Sequence, residues 1–178
     1  MRFRSDGLGT RYRLDVVALS VLEVVTHAGG WLFDRVMAGW DVTVRVADDH
    51  ANGRPLQILG AQTLDFDDAL ASLDYRPRPH ALAVATDLFG SDLRVRQGLL
   101  EALDDGLTEV TLWGATWPAE LDDNFDSVQH RLSTAARVYK AHALAAAATP
   151  NASIGFTESF RSRLIACPSA GADLVPAG

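Results

Sequence analysis

The sequence predicts an α/β chain: a compact three-layer, Rossmann-like domain around a small, mainly parallel or mixed sheet of about four strands. Three observations predict it. Residues 15–48 read as an amphipathic helix that stops at Gly39 and runs directly into an alternating, β-branched segment, Asp41–Val46. Beyond residue 80, apolar runs alternate with helical periods, the order that builds right-handed crossovers between parallel strands. Residues 81–86, Ala-Leu-Ala-Val-Ala-Thr, are nearly continuous in apolar character, as in a strand covered on both faces.

Each element has its own reason. Residues 1–13 hold Arg2, Arg4, Arg11 and Arg13 with little apolar content, and read as a mobile basic arm. A single domain is expected over 14–148. Its first helix is placed from about Asp15, because Val17, Val21, Val24, Ala28, Trp31 and Leu32 recur at spacings of three and four. Ser20-Val-Leu-Glu23 also matches a capping box, which would start the helix at Ser20 and leave 14–19 as a strand; the single helix is preferred. Gly29 and Gly30 each cost about 1 kcal/mol against alanine inside a helix. They are read as a place where a sheet or partner helix comes close, with a ligand-contacting bend beside His27 as the other reading. Residues 47–54 are a turn around Asn52-Gly53. Residues 55–60 are expected as a second strand, paired with the first as a hairpin, since parallel neighbours need a longer crossover.

Residues 63–73 are expected as a helix, with Asp65, Asp67 and Asp68 at the positive end of its dipole. Pro77 and Pro79 break the chain. After the strand at 81–86 comes a turn at 87–91. A helix capped by Ser91 follows, buried through Leu93, Val95, Leu99, Leu100 and Leu103. Gly106 stops it, Glu109 to Trp113 form a strand, and 117–124 form an acidic loop. Residues 126–147 read as a long, alanine-rich helix with a stripe through Val128, Leu132, Ala136, Tyr139 and Ala143. The tail, 149–178, is expected to be partly disordered, or to dock on a protein partner through Phe156, Phe160 and Leu164 as helical turns.

Composition narrows the function classes. The apolar fraction of 48% is ample for a core, and the formal charge of −7 argues against nucleic acid as a partner. No apolar run is long enough to span a membrane, so no membrane partner is expected. Cys167 is the single cysteine, which fits a reducing cytoplasm. Fifteen arginines against the lone Lys140 read as the product of a high-GC, actinobacterial genome.

Candidate site residues follow from the expected sheet. In open α/β sheets, ligands bind beyond the carboxyl ends of the strands. The residues falling there are Asp48, Asp49 and His50, then Thr86 and Asp87, then Trp113, with Trp117 as a further wall. No metal site is assigned; if a cation such as Mg²⁺ were held, Asp48, Asp49 and Asp87 are the ligands of the right hardness. Val44-Arg-Val-Ala-Asp-Asp49 and Ala83-Val-Ala-Thr-Asp87 resemble the acidic phospho-acceptor pocket of response-regulator receiver domains. That resemblance implies phosphate and Mg²⁺ handling, although no helix is expected between Asp49 and the next strand and no strand-end lysine is present. Gly29–Val44 is similar to the Gly-Gly helix and G-x-x-V-T-V strand of nucleotide-sugar glycosyltransferases, but the expected elements lack that family's preceding strand, and the family is not adopted. Walker, Gly-x-Gly-x-x-Gly, His-Glu-x-x-His and Gly-x-Ser-x-Gly motifs are all missing. The expectation is therefore a non-catalytic cytoplasmic binding module that self-associates as a homodimer, through the Gly29-Gly30 helix or the tail. The alternative is a small enzyme or phosphate-handling domain using the acidic rim.

Overall fold

Residues 14–18 do not belong to the first helix. In the computed structural model, which describes residues 11–48, 52–67, 78–121, 125–163 and 173–178, Arg13–Ala18 is a strand, β1, buried from Leu14 onward. Ser20 is extended, and its side chain accepts the Glu23 N–H at 3.2 Å, while the Glu23 Oε2 accepts the Leu19 N–H at 3.0 Å. This reciprocal capping starts helix α1 (Val21–Met37) at Val21. The single helix from Asp15 is thus corrected to a strand and a capped helix. Val17, counted in the helical stripe, faces the opposite side of the sheet from Val21. A strand buried on both faces shows no alternation, so periodicity alone cannot separate it from a buried helical turn. The strand whose lack spoke against the glycosyltransferase likeness is β1.

At the other end, Gly39 takes φ +92° and the chain enters β2 (Asp41–Val46), which pairs in parallel with β1. The expected strand at 55–60 is instead the short helix α2 (Arg54–Ile58), with Pro55 in its first turn, where its missing N–H costs nothing. α2 lies on the crossover to β3 (Gln62–Asp65), which is parallel to β2, so the hairpin is also corrected. β3 takes up the start of the helix expected at 63–73, whose remainder from residue 68 lies outside the described residues.

Strand β4 (Ala81–Ala85) appears as expected, but the turn after it is helix α3 (Thr86–Ser91). Asp92, not Ser91, caps α4 (Leu93–Asp105), accepting the Arg94 and Val95 N–H groups. Leu93 is therefore exposed rather than inward. β5 (Glu109–Trp113) follows. The long helix expected at 126–147 divides into β6 (Asp126–Arg131) and α5 (Thr134–Ala146), whose N-cap is Ser133. Val128 and Leu132, four apart, fit a strand's period of two as well as a helical stripe. In the expected tail, β7 (Thr157–Arg163) is a strand, not helical turns, and β8 (Val175–Pro176) pairs with β6.

Among the described residues the sheet is mixed and has eight strands, in the order β3-β2-β1-β4-β5-β7-β6-β8, against about four expected. The first five are parallel; β7 joins β5 antiparallel, with Leu112 opposite Arg161, and β6 pairs antiparallel with β7. One face packs on α1, α2 and α5 around Trp31, Leu32, Leu59 and Val44. The other packs on α3 and α4 around Phe89, Leu99 and Leu112.

The glycine pair has a packing role. A Cβ on Gly30 would collide with the Leu132 side chain. Beside it, Glu158 of β7 accepts the N–H groups of Gly30 and Trp31, both at 2.8 Å. Lys140 of α5 donates to Glu158 at 2.6 Å and to the Thr26 carbonyl at 2.7 Å. The middle of α1 is thus bound to β7 and α5 through a buried ion pair. Protein fills the space that a ligand-contacting bend would need, and Gly29-Gly30 offers no surface to a second copy. The end of the chain is fixed to the same helix: Asp173 pairs with Arg35 and accepts the Trp31 indole N–H at 2.9 Å.

Candidate active site

Four parallel strands, β2, β1, β4 and β5, point their carboxyl ends to one rim. The strand order turns between β1 and β4, because β1 leads through α1 to β2 on one side and β4 leads to β5 on the other. Crevices open at such a switch point, beyond the carboxyl ends. The residues that the chain delivers there are Ser20 and Glu23 after β1, and Thr86 and Asp87 after β4. Asp87 is exposed in the first turn of α3. Thr86 is buried, and its hydroxyl has no hydrogen-bond partner among the described residues. Gly114, at φ +149°, lies against it so closely that a Cβ would strike the Thr86 Oγ1. The ends of β4 and β5 are therefore in contact. Glu23 holds the Leu19 N–H with Oε2, and its Oε1 makes no hydrogen bond among the described residues.

The residues proposed from the sequence are only partly brought together. Asp48 follows β2, and its N–H donates to the Leu19 carbonyl at 3.2 Å. β2 and β4 are separated by β1, so their backbones stand about 10 Å apart. Asp49 and His50 lie outside the described residues. Among the described residues no three His, Cys, Asp or Glu side chains converge where a metal ion could sit. Trp113 is buried, its ring centre 6.5 Å from that of Phe160 with the two planes 75° apart, and its indole nitrogen is unpartnered among the described residues. The receiver likeness fails on topology. The parallel half runs 3-2-1-4-5 rather than the 2-1-3-4-5 of receiver domains, and Asp48 follows the second strand, not the first.

Beyond β5, a cleft of about 360 Å³ opens over β5, β7 and β6, lined by Trp113, Trp117, Ser127, Ser159, Arg161 and Ala177. Trp117 is fixed by its N–H on the Leu121 carbonyl at 3.1 Å and by Phe125 edge-on at 5.4 Å. The Arg161 guanidinium lies 4.5 Å from the centre of its ring. The sequence reading named Trp117 but missed Ser127, Ser159 and Arg161, because both of their strands were taken for helix or tail. The sequence carried no apolar alternation to reveal β7: the positions buried in Thr157–Arg163 are Glu158, Phe160 and Ser162, and only Phe160 is apolar.

Two other polar clusters are structural. Asp34 accepts from both His130, at 2.8 Å, and the Ser133 hydroxyl, at 2.6 Å. The serine is bonded to the carboxylate, not to the imidazole, so this is not a nucleophile–base pair. His130 is buried in β6. Glu109 stands at the amino end of β5, far from the rim, 3.0 Å from Arg35. Burial pushes its carboxyl above the ordinary range, Arg35 opposes that shift and Asp173 adds to it.

No protein-family model and no curated protein matches the chain. Solved structures do. The zinc-inhibited form of the teicoplanin deacetylase Orf2 matches with a TM-score of 0.60 at 12% identity, over 93% of this chain and 98% of that one. The A40926 pseudoaglycone deacetylase Dbv21 matches with 0.57 at 16% identity, over 85% and 96%. GalB, the 4-carboxy-2-hydroxymuconate hydratase from Pseudomonas putida KT2440, gives 0.50 at 12% identity, over 85% and 95%. Likeness at these identities speaks to the fold. It overturns the expectation of a non-catalytic module and the lean against an enzyme, which rested on missing motifs. Deacetylases and a hydratase are built on this fold.

Proposed function

We propose that the chain is an enzyme, a hydrolase that removes an acyl group, with its reaction crevice at the carboxyl ends of β1 and β4. The observation that carries the reading is the exposed Asp87 carboxylate at the switch point, across from Ser20 and Glu23, in a fold shared with deacetylases. In this reading a carboxylate takes a proton from water, and the water oxygen bonds to the acyl carbon. The bond from that carbon to nitrogen or oxygen then breaks, and the leaving atom takes a proton. A carboxylic acid and an amine or alcohol are released. Asp87 is assigned as the base, and Glu23, tied to the Leu19 N–H, as the second carboxylate. Among the described residues no three His, Cys, Asp or Glu side chains form a ligand set for a metal ion.

The test is acetate release from a panel of acetylated amino sugars by the purified chain and by Asp87→Asn. Release that falls about 100-fold or more in the variant is the expected result, the usual scale for a general base. No release from any member, or equal release by both proteins, would overturn the reading. No helix among the described residues is long and apolar enough to cross a membrane. A cytoplasmic location is proposed with this, from the single cysteine. A homodimer is also proposed, through the exposed Val138, Tyr139 and Phe156. A clean monomer in sedimentation at high micromolar concentration would remove it.

A further inference from the structure

We infer that the cleft over β5, β7 and β6 is an anion-binding subsite, which takes a carboxylate or phosphate group carried on a ring. The argument starts from strand alternation. Val128, Phe160 and Glu158 of β6 and β7 are buried, the first two in the core under α1 and α5. Ser127, Ser159 and Arg161 therefore share the opposite face. Ser127 stands directly across from Arg161, and Ser159 lies two residues before it on the same strand. All three line the cleft.

None of the three has an internal side-chain hydrogen bond or ion pair among the described residues. The Arg161 contact is the Trp117 face, at 4.5 Å. That stacking orients the guanidinium, and its N–H groups have no protein acceptor among the described residues. Arg161 is exposed, and other exposed or half-buried arginines of the described chain meet carboxylates, as Arg94 meets Asp92 and Arg96 meets Glu120. A guanidinium and two hydroxyls side by side are donors suited to one oxyanion. The Trp117 ring beside them supplies a flat apolar wall for a sugar or aromatic ring. In a chain of net charge −7, a positive spot of this kind attracts an anion only at close range, so the contacts must be direct.

The test of the subsite reads binding alone, so its failure is distinct from a failure of the proposed hydrolysis. Indole fluorescence is followed on titration with phenyl phosphate, benzoate, inorganic phosphate and the uncharged phenyl glucoside. Phenyl phosphate or benzoate should bind at least tenfold more tightly than phenyl glucoside. That affinity should fall about tenfold or more in Arg161→Gln and largely return in Arg161→Lys. Binding of inorganic phosphate alone, with no gain from the ring, would remove the role of Trp117. Equal binding of charged and uncharged rings, or an affinity unchanged in a folded Arg161→Gln, would overturn the proposal.

Discussion

Adjacent glycines in α1 have different reasons to be there. A Cβ on Gly29 would meet Leu59 at 3.4 Å, an ordinary contact, whereas one on Gly30 would overlap Leu132. Gly29→Ala should be neutral to stabilising by up to about 1 kcal/mol in urea unfolding, because the gain in helix propensity meets little steric cost. Gly30→Ala should lose about 1–3 kcal/mol through overpacking. Equal effects would contradict the close approach described here. Glu109 gives a second prediction at this scale. Its folded-state pKa is raised, chiefly by burial, above the ordinary 4.5. Its contribution to stability is therefore full below 4.5 and is lost as pH rises through the raised value. Measured by urea unfolding, the wild type should lose stability relative to Glu109→Gln as pH rises across that window. Parallel curves would contradict it.

At the scale of elements, the Lys140–Glu158 pair joins α5, β7 and the middle of α1. Removing one partner of a buried pair leaves an unpaired charge. Lys140→Met or Glu158→Gln should each cost about 3–5 kcal/mol, and the double variant less than the sum. Additive losses in thermal or urea unfolding would refute the coupling. The pair also accounts for what the sequence left hidden. Glu158 and Lys140 are charged residues, which patterning assigns to solvent, yet both are buried. The strand β7 around Glu158 was taken for tail because Phe156, Phe160 and Leu164 also fit a helical spacing. By contrast, β2, β4, β5, α4 and the Gly39 stop were legible, since each has a run or a punctuating residue with one meaning. The Ser20–Glu23 capping signal was legible too, but the unbroken apolar stretch before it outweighed it. At the rim, Thr86, Asp87 and Trp113 followed from strand ends. The cleft residues did not, because they belong to antiparallel strands whose partners are distant in sequence.

Over the whole molecule, a five-stranded parallel half supplies the rim, and an antiparallel extension of β7, β6 and β8 widens it into a cleft. The final residues close that extension: Asp173 is held by Arg35 and Trp31, and the Ala177 N–H donates to the Ser127 carbonyl at 3.0 Å. The central claim is that chemistry occurs where β1 and β4 end, with the rest of the substrate in the neighbouring cleft. The measurement that tests it most directly is a crystal structure of the chain soaked with the amino sugar left after deacetylation. The account predicts the amine beside Asp87 and the sugar ring reaching toward Trp117. A product bound at the opposite rim near Glu109 and His80, or no binding at saturating concentration, would contradict it.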